Sequence, residues 1–265
     1  MKNKTLAGGV QARFTPDAFS QLINAHGLTY WWSRALVCPC SLNPDTGQWD
    51  PACTRCLDGF LYINPCYNAE QHLTRRYSKI EAIFSSITFD QTRHEFIASP
   101  WTTGVGTMTV DGHFSVGYRD RFVAKDQRTT FSQVLERGIG NPVKVGWIGR
   151  NTAAKTQAMR YEPIAVHYVE DEDEVVYLRG TDFTILGAIA DEPKRMNWGH
   201  GRGPAVGKTF TIVYDCHPVW VVDDATFGVQ NSIGPAGGIS GADAVQYLPI
   251  TFRVVLDWLT EKQGA

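Results

Sequence analysis

The sequence predicts a mainly β protein, built as an antiparallel β-sandwich or barrel with a small N-terminal helix and a cysteine-knuckle insertion. Three observations carry that expectation. From Glu70 onward, short runs rich in β-branched and aromatic residues alternate with turn formers. Ahead of them, one stretch shows the apolar spacing of an amphipathic helix ended by a glycine. Between the two lie four cysteines within nineteen residues, Cys38-Pro39-Cys40 and Cys53-Thr54-Arg55-Cys56.

The helix is expected over residues 16 to 26, where Phe19, Leu22 and Ile23 fall on one face. Thr15 stands as N-cap, Pro16 in the first turn and Gly27 as the stop. Tyr30-Trp31-Trp32 follows, read as core packing ahead of a base-stacking platform. The helix and the residues before it make segment 1–29 an N-terminal helical arm.

Segment 30–67 reads as a zinc-ribbon-like module. Each close cysteine pair offers two thiolates across a tight turn, and two such turns complete a tetrahedron around one ion. Cys38, Cys40, Cys53 and Cys56 are therefore the expected ligands of a structural zinc, with no position left for water. The intervening loop is rich in turn formers, and Gly59-Phe60-Leu61-Tyr62-Ile63 supplies a knuckle glycine followed by a short strand. The alternative is disulfides or inert thiols. The Cys38/Cys40 pair cannot bridge itself without strain, although cross-bridges remain open. The N-terminus shows no apolar signal segment, so a reducing compartment is expected, and there metal is favoured. Cys66 and Cys216 read as packed thiols, with Cys66 able to replace one ligand.

Segment 68–225 is the expected β body, with runs at Lys79–Phe84, Gly106–Val110, Arg121–Ala124, Val143–Ile148, Ile164–Val169, Val175–Leu178, Thr209–Tyr214 and Val219–Val222. Glu170-Asp171-Glu172-Asp173-Glu174 reads as a solvated hairpin tip. Residues 129 to 138 read as a helical turn or two capped by Gly138. Segment 226–265 holds a Gly-rich loop at 234 to 241, then an apolar stretch from Tyr247 to Leu259 that must dock on its own sheet or on a neighbour.

Composition sets bounds on function. A chain of 265 residues, 43% hydrophobic and 20% charged, supports one large or two small cores. Its net charge of −2 exerts no general pull toward nucleic acid. No apolar run approaches the roughly 18 residues needed to span a bilayer, so no membrane partner is expected.

The patterns that suggest catalysis break down. In Gly203-Pro-Ala-Val-Gly207-Lys208-Thr209, Arg202 stands where the first glycine of a phosphate loop belongs, and a strand follows where a helix should open. His94-Glu95 has no second histidine one helical turn on. The seven histidines, at 26, 72, 94, 113, 167, 200 and 217, form no i, i+4 pair. Asp90, Asp111 and Asp120 with His113 can meet only through the fold. No catalytic residue is assigned and an enzyme is not expected.

One stretch has a more individual pattern. Tyr177-Leu-Arg-Gly180-Thr-Asp182-Phe183 is followed by Met196-Asn-Trp198, then by Gly207-Lys-Thr-Phe210-Thr-Ile-Val-Tyr214-Asp-Cys-His217-Pro218-Val-Trp220. Together with the cysteine knuckles it resembles neck proteins of tailed bacteriophages, over about residues 34 to 222. The resemblance implies a virion structural protein of the head-to-tail connection, as a collar, adaptor or ring below the portal. Such a protein is assembled in the host cytoplasm and acts by assembly rather than turnover. Implied partners are further copies of itself in a homo-oligomeric ring, portal or other neck proteins, and tail proteins. Arg75, Arg76, Lys79 and Arg202 are candidates to line a lumen carrying DNA, non-specifically; solubilising charge is the alternative. Two other classes stay open. A zinc-ribbon module binding nucleic acid or protein is opposed, for nucleic acid, by one Arg against three Asp in residues 38 to 66. A β-sandwich enzyme needs a pocket of convergent polar groups.

Overall fold

In the computed structural model, residues 16–41, 53, 56, 59–63, 65, 77–85, 88–90, 95–97, 104–138, 142–143, 158–186, 195–199, 202–224, 231–235, 243–247 and 249–260 are described. Helix α1 (Pro16–His26) forms where expected and stops at Gly27, whose N–H donates to the Ile23 carbonyl at 2.6 Å. Ile23 is buried, whereas Phe19 and Leu22 are exposed, so the helix rests on a narrower stripe than its spacing suggests. Thr15 lies outside the described residues.

Six strands form a closed antiparallel barrel. They are β1 (Leu28–Val37), β3 (Ser78–Ser85), β6 (Val105–Val110), β17 (Ile250–Leu256), β14 (Val219–Asp224) and β7 (Arg121–Ala124), and β7 pairs back onto β1. Pairing in register brings alternate side chains inward. Tyr30 and Trp32 of β1 face Ile80 of β3 and Phe122 and Ala124 of β7. Met108 and Val110 of β6 meet Phe252 of β17, whose Val254 and Leu256 oppose Val222 and Trp220 of β14. Ring contacts run through this interior, with Phe122 between Trp32 at 6.3 Å and Phe252 at 5.5 Å. The apolar C-terminal stretch therefore docks on the chain's own sheet. The barrel takes strands from three of the segments marked out in the sequence, 30–67, 68–225 and 226–265, although β1 begins at Leu28.

Strand β2 (Phe60–Ile63) lies outside the barrel and pairs with residues 34 to 37 of β1. A second unit holds the sheet β10–β13–β8, made of β8 (Thr129–Glu136), β10 (Pro163–Asp171) and β13 (Thr209–Cys216). Against it packs the sheet β11–β12–β9, made of β9 (Pro142–Val143), β11 (Phe183–Leu186) and β12 (Arg195–Trp198). Leu135, Val169, Phe210, Ile212 and Tyr214 from the first meet Phe183, Met196 and Trp198 from the second in one buried core. Two hairpins complete the sheets, β4 (Thr88–Asp90) with β5 (Glu95–Ile97), and β15 (Asn231–Pro235) with β16 (Asp243–Tyr247). The chain's described part ends in a short helical turn, α2 (Asp257–Thr260).

Three local expectations are corrected. Residues 129 to 136 form strand β8, not a helical turn, because eight consecutive residues pair with β13 and alternation sends Leu135 inward and Val134 outward. Residues 175 to 178 form no strand. A single bridge joins Val176 to Glu170, while the turn carboxylate of Asp171 accepts the amides of Asp173 and Val175. Gly234 and Pro235 belong to β15 rather than to a loop; residues 236 to 241 lie outside the described set. Of the expected run Val143–Ile148, only Val143 is described, in β9.

Candidate metal centre

Strand β1 leaves the barrel at Arg34, runs four residues beside β2, and ends at Val37, directly before Cys38. A single 3-10 turn, Pro39–Ser41, then carries Cys40. The Cys38 N–H donates to the Gly59 carbonyl at 2.7 Å, which ties the two knuckles together. Gly59 adopts φ of +83°, a left-handed conformation that a side chain would strain, and so turns the chain from Cys56 into β2.

The result brings all four expected ligands together. The Sγ atoms of Cys38, Cys40, Cys53 and Cys56 lie within 4.8 Å of one another, and those of Cys40 and Cys56 are 3.4 Å apart. Tetrahedral coordination with Zn–S bonds of about 2.3 Å places sulfurs about 3.8 Å apart, so the cluster needs only small shifts to close on one ion. Cys38 and Cys56 are buried, Cys40 and Cys53 half-buried. Burial, then the neighbouring thiols, push the Cys56 and Cys40 thiols above their ordinary value. Four thiols packed this closely can all ionise only around a central cation, which makes the cluster a candidate metal site. None of the five described cysteines is in a disulfide. Cys216 sits in the second core, where burial pushes its thiol up to about 12; Cys66 lies outside the described residues.

Asp120 anchors the ribbon to the barrel at the point where β1 emerges. Its Oδ1 accepts the Ala35 amide at 2.8 Å, and its Oδ2 accepts Trp32 Nε1 and the Gly117 amide, each at 2.9 Å. Next to it, Arg121 lies under the Tyr62 ring of β2, 4.7 Å from its centroid. Asp120 was visible in the sequence only as one of several carboxylates near turns, with nothing local to mark its role.

The remaining sequence candidates separate into structural roles. In the acidic turn, Asp171 Oδ2 accepts the Tyr177 hydroxyl at 2.6 Å, and Lys208 spans Glu172 and Asp173 at 2.5 and 3.4 Å. One cation among five carboxylates leaves the turn strongly acidic, and its contacts are those of a solvated turn. Lys208 follows Gly207 directly into strand β13, so no helix opens there. Arg202 binds Asp182 at 3.3 Å and the Thr181 carbonyl at 2.9 Å. Lys79 is exposed on β3, whereas Arg75 and Arg76 lie outside the described residues.

Asp111 gathers Ser20 Oγ and His113 Nδ1, each at 2.5 Å. Here the carboxylate stands between hydroxyl and imidazole, whereas nucleophile activation requires the imidazole in the middle. Asp90's side chain and His94 lie outside the described set. Trp31 stacks on Tyr77 at 4.0 Å with Lys125 Nζ 3.0 Å from its ring centre. An ammonium that close cannot share a face with the stacked tyrosine, so both indole faces are taken and no base can stack there.

A buried ionic cluster went unread in the sequence. Asp257 pairs with Arg121 at 2.9 Å and Arg160 at 2.8 Å, and accepts the Tyr161 hydroxyl at 2.8 Å. The available signal was a lone charge inside an apolar stretch, Arg121 before Phe-Val-Ala and Asp257 after Val-Val-Leu. Among the described residues, no helix is long and apolar enough to cross a membrane. Compared with known proteins, the chain matches no family model and no curated protein.

Proposed function

We propose that this protein is a structural subunit of the head-to-tail connection of a tailed bacteriophage, acting by assembly into a ring and carrying a structural zinc ion in its β1–β2 ribbon. The metal part rests on four convergent cysteine sulfurs that leave no ligand position for water. When bound, zinc would link Cys38, Cys40, Cys53 and Cys56 and so hold the two knuckles of the ribbon.

The assembly part rests on one observation about the residues that carry the resemblance. Phe183, Trp198, Phe210 and Tyr214 are neighbours in a single core, with Trp198 5.9 Å from Phe183 and 5.4 Å from Phe210. His217 contacts the Gln127 carbonyl at 2.9 Å, the Pro218 carbonyl accepts the Ala124 amide at 3.0 Å, and Trp220 lies inside the barrel. Each has a packing or positioning role, and together they run from the second unit into the barrel. A pattern that specifies a body rather than a reacting centre fits a protein that works by being built into something larger.

Native mass spectrometry tests both parts at once. A ring of subunits, each heavier than the chain by one zinc, is the expected spectrum. A monomer that stays monomeric in the presence of a portal ring overturns the assembly reading, and a metal-free spectrum from gently handled protein overturns the zinc reading.

A further inference from the structure

The geometry points to an oxidant-sensitive metal centre, in which a disulfide between Cys40 and Cys56 replaces the ion. This inference rests on the zinc reading above. Two features favour that pair among the four. Their Sγ atoms are 3.4 Å apart across the two knuckles, so a small rotation brings them to bonding distance. Of the pair, Cys56 is buried, whereas Cys40 sits half-buried on the 3-10 turn and gives a small peroxide a point of attack. Cys38 is buried and one residue from Cys40, which makes a Cys38–Cys40 bridge strained.

The chemistry balances with hydrogen peroxide as the named oxidant. The Cys40 thiolate attacks the peroxide O–O bond, forming an S–O bond and releasing hydroxide, and becomes a sulfenic acid. The Cys56 thiolate then attacks the Cys40 sulfur, forming the S–S bond and displacing a second hydroxide. Two sulfurs lose two electrons, and the peroxide, taking up two protons, ends as two waters. Cys38 and Cys53 alone cannot complete a tetrahedral site, so the ion leaves and the ribbon loses its closure. A dithiol reductant cleaves the Cys40–Cys56 bond by thiol–disulfide exchange, ending as its own disulfide, and added zinc can then rebind the four thiolates.

The test uses the full chain, purified with its metal, treated with hydrogen peroxide in the presence of a chromogenic zinc chelator, then alkylated and mapped without reduction. The expected result is release of about one zinc per chain, in step with a Cys40–Cys56 linkage, and recovery of the ion after dithiol and zinc are supplied. Cys216→Ala, a change in the distant second core, leaves release and linkage unchanged. Protein that keeps its zinc through excess peroxide, or that releases it while forming a different linkage, overturns this inference and leaves the metal reading intact. Reduced protein that carries no metal at the outset overturns both.

Discussion

Arg121 and Asp257 form an ion pair at 2.9 Å with side chains only 2% and 3% exposed, tying barrel strand β7 to the helical turn that follows β17. Arg160 and Tyr161, from the segment leading into β10, close on the same carboxylate. The cluster thus sits at the seam of the two cores, next to Trp258, which packs against both. Burial alone would raise the Asp257 carboxyl, but the adjacent guanidiniums of Arg121 and Arg160 outweigh it and hold the carboxyl below its ordinary value.

Asp257→Asn removes the anion and leaves two guanidiniums facing each other in the seam. The expected loss is about 3 to 5 kcal/mol of stability, the range for breaking a buried pair from one side. Urea titration followed by tryptophan fluorescence measures it. A loss under about 1 kcal/mol would mean that the cluster is hydrated rather than sealed.

The same carboxylate sets part of the acid response. Its folded pKa lies below the unfolded carboxylate value of about 3.9, so its stabilising contribution is present above that value. The contribution is lost as pH falls below about 4 toward the depressed folded pKa, because the unfolded chain takes up the proton first. Thermal scans from pH 6 to pH 2 should show a steeper acid decline in the native protein than in Asp257→Asn.

Gly203 and Gly207 offer a matched pair. Both have positive φ, +94° and +86°, but a Cβ at Gly203 would meet the Trp198 ring at 2.6 Å and the Arg137 guanidinium, whereas at Gly207 it meets nothing within 4 Å. Gly207→Ala should cost about 1 to 2 kcal/mol for the backbone conformation alone. Gly203→Ala should cost more, because the guanidinium lying 4.9 Å from the Trp198 ring centre must move as well. Equal melting temperatures for the two variants would contradict this.

Removing the metal ligands should act locally. Cys53→Ser with Cys56→Ser is expected to abolish zinc binding and to strip hydrogen-exchange protection from residues 35 to 37 and 60 to 63. Amides of Val254 and Val222, paired inside the barrel, keep theirs. Assembly into particles should fail while the isolated body stays folded; infectious particles of normal yield from the double variant would refute the role given to the ribbon.

Asp120→Asn keeps the shape of the anchor but replaces one acceptor oxygen by a donor. At least one of the Trp32, Ala35 and Gly117 donors then loses its partner in a buried site, at a cost of about 1 to 3 kcal/mol. Trp32 emission and exchange at Ala35 should respond together, reporting a loosened exit of β1 from the barrel.

How much of this was legible follows from the range of each interaction. The four cysteines were readable because knuckle geometry is set by spacings of one, twelve and two residues. Runs with clear alternation, such as Thr209–Tyr214 within β13, were readable for the same reason: side-chain period is a local property. Barrel closure depends on Tyr30 meeting Ala124 and on Val222 meeting Val254, pairings that no local window contains. Strand β8 was misread because Gly138 and a short mixed run resemble a helix end, while an eight-residue ladder with β13 decided the outcome. Asp120 and Asp257 acquire their roles from residues 85 and 136 positions away in Ala35 and Arg121, and carboxylates with such partners look like any others in sequence.

Strand β1 belongs at once to the barrel wall and to the cysteine ribbon, and this gives the ribbon a mechanical footing. A pull on the knuckles along β1 loads its ladders with β3 and β7 in shear, so that several perpendicular hydrogen bonds must yield together instead of opening one after another. The ribbon can therefore carry tension into a closed ring of strands, where the load spreads around the circumference before any single pair gives way.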